Sequence, residues 1–425
     1  MRKLTALLLV FVLLAGCTSA EPVGSDLPSP SGSPVESSTP APTPTPEPTP
    51  EPTPTPPPEP ITATLTIAGD AMCHVPNNHY VSETGEYDFT PVFRYAKPWV
   101  EAADLAIVNL ETTLSGPEYS GYPRFNTPDS YAYALKDAGF DMFCTTNNHC
   151  MDKGFAGLTR TLDVLDEAGI PHVGTYRTEE ERAENSGIVV MDCGGISIAF
   201  LAYTYSTNGL PVSEEREWSV NRFNTDYMTS LSTFDEELVG ADMAAARDLG
   251  CDLIAVIMHW GWEYKLKPNA YQQSLTDTLI DMGADLVLGG HPHVLEPYEF
   301  VTTEAGNSGF VCYSLGNFVS GQVYEYTDTT VLLNLELKKD LVTGETTIEG
   351  VTYIPFLMLY NKHAEGGIVL LDVYSAMAEY ENGENDLITS AVYARLEKAL
   401  SDCHMVLGAE GDIQAPADAP EAPES

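Results

Sequence analysis

The sequence predicts an α/β fold, and three observations carry that prediction. Short apolar runs alternate with amphipathic stretches of helical period between about Ile61 and Leu407. Several of the helical stretches close on a glycine, at Gly139, Gly169, Gly250 and Gly283, as a left-handed C-terminal residue requires. The strand candidates, in turn, repeatedly run into polar residues suited to chemistry, and open α/β sheets bind ligands at the carboxyl ends of their strands.

Taken in order, Thr62–Ala68 runs into Gly69-Asp70, Leu105–Val108 into Asn109-Leu110-Glu111, and Met142–Thr145 into Asn147-Asn148-His149. Leu253–Met258 leads to His259, and Leu286–Leu288 to Gly289-Gly290-His291-Pro292-His293. Helices are predicted between them over Ser130–Ala138, Gly154–Ala168, Phe234–Leu249 and Asn269–Met282. After His293 the texture turns to strands, at Tyr298–Thr302, Phe310–Ser314, Thr330–Leu337 and Thr346–Tyr353, which predicts a second sheet packed against the first. Ala391–Leu400 reads as a late helix, and no repeat of solenoid length is present.

The ends of the chain differ from its middle. Arg2 and Lys3 precede an apolar run from Leu4 to Leu14, too short for a comfortable membrane span, followed by small residues. Leu14-Ala15-Gly16-Cys17 resembles the lipobox of bacterial lipoproteins, which implies a signal peptide over residues 1–16 and a diacyl or triacyl anchor on Cys17. Residues 17–60 carry that cysteine and a Pro/Thr/Ser/Glu near-repeat that cannot bury a core and favours polyproline II, as a spacer between membrane and domain. The expected folded domain is 61–407, with an acidic disordered tail over 408–425. The implied location is the extracytoplasmic face of the cell membrane.

The formal net charge of −42 argues against nucleic acid and against docking on anionic headgroups. An anionic substrate therefore needs local positive charge, which metal ions would supply. Apart from Cys17 there are seven cysteines at irregular spacing and no C-x-x-C, which is not a disulfide scaffold; a single bridge between Cys144 and Cys150 stays open.

Two imidazoles held one residue apart by Pro292 at the end of a buried strand are hard to explain by packing and easy to explain by a metal. The five strand ends together offer Asp70, Glu111, Asn148, His259, His291 and His293: two carboxylates, an amide oxygen and three imidazoles. A pair of divalent cations about 3.5 to 4 Å apart needs a bridging carboxylate and mixed nitrogen and oxygen ligands. His149 is the additional histidine beside the amide ligand. No Gly-x-Ser-x-Gly marks a serine nucleophile, and no His-Glu-x-x-His marks a common zinc peptidase.

Gly69-Asp70-Ala71-Met72, Asn109-Leu110-Glu111, Asn147-Asn148-His149 with Asp152 and Gly154, Met258-His259-Trp260-Gly261 with Glu263-Tyr264, Gly290-His291-Pro292-His293-Val294 and Tyr313-Ser314-Leu315-Gly316-Asn317-Phe318 stand in that order. In this the chain resembles the CapA-type poly-γ-glutamate capsule biosynthesis proteins, which are similar to calcineurin-like metallophosphoesterases. The resemblance runs from about Ile61 to Tyr360. It implies a four-layer sandwich of two mixed sheets flanked by helices, with two divalent metal ions (Mn, Fe, Zn or similar) at one edge. Asp70 and His293 would bind the first ion, Asn148, His259 and His291 the second, and Glu111 would bridge. His149 would be the general acid. The chain departs from the wider superfamily in two places: Ala71 and Met72 replace the Asp-x-His continuation after Asp70, and glutamate replaces aspartate at Glu111.

The implied function is that of a lipid-anchored metal-dependent hydrolase of capsule biosynthesis or processing, acting on a phosphoester or on an anionic polymer such as poly-γ-glutamate, alongside capsule-synthesis membrane proteins. Two alternatives stay open: a non-catalytic polymer-binding component of such a complex, and a metal-dependent γ-glutamyl or cell-wall amidase. His74, Arg124, Glu263 and Asn317 are the candidate substrate contacts, with His74 alternatively a ligand or an ordinary loop histidine.

Overall fold

The computed structural model describes residues 57–74, 87–360 and 368–413. The predicted signal peptide, Cys17, the spacer up to residue 56, His79, His363 and the end of the acidic tail lie outside the described residues. Among the described residues there are fourteen strands: β1 (Ile61–Ala71), β2 (Leu105–Leu110), β3 (Met142–Cys144), β4 (His172–Val173), β5 (Val189–Cys193), β6 (Ile196–Thr204), β7 (Leu253–His259), β8 (Leu286–Gly290), β9 (Leu295–Thr302), β10 (Ser308–Leu315), β11 (Asn317–Val319), β12 (Thr329–Lys339), β13 (Thr346–Tyr360) and β14 (Ile368–Asp372). The helices are α1 (Lys97–Val100), α2 (Ser130–Asp137), α3 (Gly154–Glu167), α4 (Glu179–Ala183), α5 (Glu236–Leu249), α6 (Ala270–Asp281), α7 (Val373–Asn382) and α8 (Ser390–Leu407).

The strands form two mixed sheets. The first runs β14-β13-β12-β1-β2-β3-β4, with β11 also on β1; the second runs β5-β6-β7-β8-β10-β9. Each has a parallel centre, β1 to β4 and β6 to β10, because β-helix-β crossovers through α2, α3, α5 and α6 bring successive strands up in the same direction. Antiparallel strands finish the edges, β12 to β14 on one sheet and β5 and β9 on the other.

Side-chain alternation sorts each strand between two cores. Ala63, Leu65 and Ile67 of β1, Leu105 and Ile107 of β2, Ile198 and Phe200 of β6 and Leu286 and Leu288 of β8 fill the space between the sheets. The residues of opposite parity face outward: Ala106 and Val108 meet Tyr131 and Leu135 of α2, and Leu201 and Val256 meet Met243 of α5 and Leu279 of α6. The result is helix, sheet, sheet, helix, the four layers expected.

The strand inventory differs from the prediction in membership. The strands after His293 do not make the second sheet by themselves: β9 and β10 join β6, β7 and β8, whereas β12 to β14 return to the first sheet beside β1. β4, β5, β6, β11, β14, α1, α4 and α7 fall outside the predicted elements. From Ile198 to Tyr203 β6 is an unbroken apolar run with two alanines, so it lacks the alternation by which half-buried strands are recognised. The fold also extends beyond Leu407, because Gly411 and Ile413 pair with the backbone of Tyr353 in β13 and Asp412 accepts from Nε2 of His404 at 2.8 Å. Cys144 and Cys150 are free thiols, the former donating to the Thr146 carbonyl, so that bridge is not made. No helix among the described residues is long and apolar enough to cross a membrane.

Candidate metal centre

The carboxyl ends of β1, β2 and β3 in one sheet and of β7 and β8 in the other open at the same edge, and there the predicted residues meet. Asp70 sits where the register of β1 shifts against both β2 and β11, a bulge that re-aims its side chain. Gly69 must be glycine because a Cβ there would lie 2.0 Å from the Gly316 carbonyl oxygen. The corner after β8 is strained: His291 and His293 adopt φ of 95° and 60° on either side of Pro292. It is pinned by Tyr264 N–H donating to the Pro292 carbonyl at 2.8 Å, and by His291 N–H donating to Oδ2 of Asp70 at 3.0 Å.

Asp70, Glu111 and His293 place one potential ligand atom each within 4.8 Å of one another, all three fully buried. Beside them stand Asn148, His259 and His291. Nε2 of His259 is 3.5 Å from Oε1 of Glu111 and donates to Oδ1 of Asn148 at 3.0 Å, and the His259 and His291 ring centres are 4.9 Å apart. Glu111 therefore lies between two sets of donors, where the bridging place was expected. Neither of its oxygens has a hydrogen-bond partner, although the side chain is buried, and Nδ1 of His291 is equally unpartnered. A buried carboxylate without donors is costly in a protein alone and is what a cation would satisfy. The donor set fits divalent metal ions.

Electrostatics separate the two histidines of the corner: His291 is ready to ligate, whereas His293 would give up a proton to do so. Burial and the neighbouring His259, His293 and His149 rings push the His291 pKa well below its ordinary value, so the ring is neutral with a lone pair to offer. Burial works against the charged forms of Asp70 and His293 too, but their mutual attraction prevails. Asp70 is held below the usual carboxylate range, and His293 is raised to about 9 by Asp70, Glu111 and Glu263.

Outer hydrogen bonds aim these groups. The Asn317 amide donates to the carbonyls of His293 and Thr327 and to Gln322, so its oxygen must be what accepts from Nδ1 of His293 at 3.0 Å, leaving Nε2 of that ring for a ligand. Asn317 thus orients a histidine and has no amide hydrogen left for substrate. Asn109, in β2, donates to Oδ1 of Asp70 at 2.7 Å and is itself held by Asn147. Asn148 donates to Tyr205 and Asn208, which turns its oxygen toward His259. His149 donates from Nδ1 to Oδ2 of Asp152 at 2.7 Å and packs edge-on against Phe125, leaving Nε2 4.0 Å from Glu111.

The remaining candidates fall around this centre. His74 packs edge-on against Phe125 and reaches Ser320, outside the carboxylate and imidazole cluster. Arg124 is exposed, on the loop whose next residue, Phe125, touches His149. Glu263 is exposed on the loop after β7 and lines a cleft with His291. Tyr205 and Asn208 were missed. Tyr205 follows the unforeseen β6, with its ring centre 4.6 Å from that of His291, and Asn208 sits in a Thr-Asn-Gly sequence that reads only as a turn.

Residues 64–322 match the model of the family described as bacterial capsule synthesis protein PGA_cap. The chain belongs to that family. The matched stretch spans every residue of the centre, from Asp70 to Asn317, and stops before β12. Among curated proteins, the chain is 27% identical over 282 residues to the capsule biosynthesis protein CapA of Bacillus anthracis, covering 65% of this chain and 64% of that protein. It is 30% identical over 254 residues to the PGA biosynthesis protein CapA of Bacillus subtilis, covering 59% and 62%. The match thus spans a little under two thirds of the length of those relatives. Among solved structures, a putative 5′-nucleotidase from Staphylococcus aureus is similar at 12% identity and a TM-score of 0.45, over 79% of this chain and 58% of that one.

Proposed function

We propose that the chain is a metal-dependent hydrolase of capsule or poly-γ-glutamate biosynthesis, anchored through Cys17 on the extracytoplasmic face of the membrane. The single observation that carries the hydrolase reading is Glu111: both of its oxygens are buried and unpartnered between two groups of metal-type donors. Asp70 and His293 would hold one ion, Asn148, His259 and His291 the other, and Glu111 both. Bound there, two divalent cations would acidify a water and offset the negative charge that develops on a phosphoryl or acyl oxygen.

The protein's own groups do the rest. His149 points Nε2 into the centre while Asp152 holds Nδ1, which fixes the ring and makes Nε2 the atom that would hand a proton to the leaving oxygen. Asp152 is itself held by the Phe125 N–H at 2.6 Å, and the Phe125 ring closes one side of His149 against water. Asn109 and Asn147 keep Asp70 and His149 in register, the latter through the His149 N–H. In a chain of net charge −42 an anionic substrate has its strongest attraction at the loaded centre. The names of the two Bacillus relatives support placing that substrate in capsule or poly-γ-glutamate metabolism.

The test is turnover of bis(p-nitrophenyl) phosphate and of poly-γ-glutamate by the purified protein with Mn²⁺. Hydrolysis of either, reduced about 10²- to 10⁴-fold in His149→Ala, supports the proposal. Stoichiometric polymer binding with no turnover, unchanged in His149→Ala, contradicts it and points to a holding role.

A further inference from the structure

Next to the candidate metal centre, lined by His291 but not by His293, lies a cleft of about 680 Å³. That is the size range of small-molecule sites rather than of a surface dimple. His291 and Tyr205, whose rings touch, both line it, so whatever fills it would adjoin the group held at the metals. Phe223 and Trp260 in its lining are fully buried, whereas Trp262 is 65% exposed.

The polar chemistry of the lining separates three kinds of occupant. No lysine or arginine lines the cleft, and its one carboxylate is Glu263, so an anion gains nothing there. The N-terminus of α6 opens on it, but the Asn269 side chain already accepts from the Tyr271 and Gln272 N–H groups in a capping box, leaving those donors unavailable to an anion. A small ammonium would meet Glu263 but would leave most of the volume unfilled. A neutral ring bearing hydroxyl groups meets what is present: an exposed indole, a carboxylate to accept hydroxyl protons, the Ser230 hydroxyl, and the Ser232 hydroxyl, which donates to Asp226 and can still accept.

We infer that this cleft is a saccharide subsite: the substrate bound at the metal centre carries, on its His291 side, a neutral hydroxyl-bearing ring that stacks on Trp262 and hydrogen-bonds to Glu263. The inference rests on the proposed function for the position of the reacting group beside the ring, and it selects a phosphoester over poly-γ-glutamate, which carries no such ring. The saccharide contact itself is independent of metal. It also divides the substrate, with the anionic part at the metals and the uncharged part in the cleft.

Calorimetric titration of the full chain with N,N′-diacetylchitobiose, with tetra-γ-glutamate and with lysine, each in excess Mn²⁺ and again in EDTA, tests it. The expected result is saturable disaccharide binding in both conditions, abolished in Trp262→Ala and weakened at least tenfold in Glu263→Gln, with circular dichroism confirming that both variants fold. Tetra-γ-glutamate is expected to bind only with Mn²⁺ and to be indifferent to Trp262→Ala. Absence of disaccharide binding overturns the inference, as does Trp262-dependent binding of tetra-γ-glutamate or lysine. Disaccharide binding in a protein that takes up no metal upholds the cleft and removes the metal reading, and the reverse pattern removes the cleft alone.

Discussion

The backbone N–H of His291 donates to Oδ2 of Asp70 at 3.0 Å, joining the end of β8 in one sheet to the end of β1 in the other. The two residues are 221 positions apart in the chain, yet this bond and the ligand set around it hold the edge of the sandwich together. Metal binding and the relative placement of the sheets are therefore coupled, because the groups that would hold the ions are also those that close the seam.

That coupling predicts the behaviour of Gly290. A Cβ added there would lie 2.6 Å from Oδ1 of Asp70, so Gly290→Ala must push the carboxylate or the corner aside. The expected cost is about 1–3 kcal/mol of stability, as for other overpacked sites. Mn²⁺ affinity should fall with it, because Asp70 and His291 move apart. Urea melts with EDTA and with Mn²⁺ check both, and a variant that keeps wild-type metal affinity would show the seam to be more pliable than the geometry indicates.

Glu296 gives a pH-dependent stability that is separate from the metals. It is buried in β9, where desolvation raises its pKa from 4.5 to about 7 and a hydrogen bond from Gln272 only partly offsets this. The folded state thus holds a proton that the unfolded chain releases at lower pH. Between about 4.5 and 7 the folded form binds more protons, so Glu296 makes stability decline as pH rises through that window, and it adds no slope above it. Denaturant melts from pH 4.5 to 8 in wild type and Glu296→Gln measure this contribution; the difference between the two should grow toward pH 7 and then level off.

The C-terminal segment past α8 is expected to be part of the fold. Asp412 accepts from the Tyr374 hydroxyl and from His404, and its neighbours pair with Tyr353. Asp412→Ala should cost about 1–3 kcal/mol, from a hydroxyl and an imidazole left without their acceptor. Truncation after Leu407 should cost more, since it also strips the pairing from Tyr353. Thermal melts of both variants decide it.

Much of the centre was legible in the sequence because its chemistry sits at strand ends, where a run of apolar residues stops at a polar one. Asp70, Glu111, Asn148, His259, His291 and His293 all carry that signature. What was not legible depends on pairing between distant segments. β12 lies beside β1 across roughly 270 positions, and nothing in either run says so. Tyr205 and Asn208 reach the centre only because β6 lies next to β7, and the uniform burial of β6 erased the period that would have marked it. Asn317, a candidate substrate contact from the sequence, is the orienting partner of His293, a role set by a parallel bridge to Asp70.

The most direct test of the central claim is the metal content of the purified full chain after reconstitution with Mn²⁺, measured by inductively coupled plasma mass spectrometry in wild type and in Glu111→Gln. Two ions per chain are predicted for wild type and no more than one for the variant, since Glu111 is the carboxylate placed between both groups of donors. The variant without metal should be at least as stable as wild type, because a buried charge without partners has been removed, and should gain less when Mn²⁺ is added. A wild-type chain that binds one ion or none, or a Glu111→Gln chain that still binds two, would contradict a dinuclear centre built on Glu111.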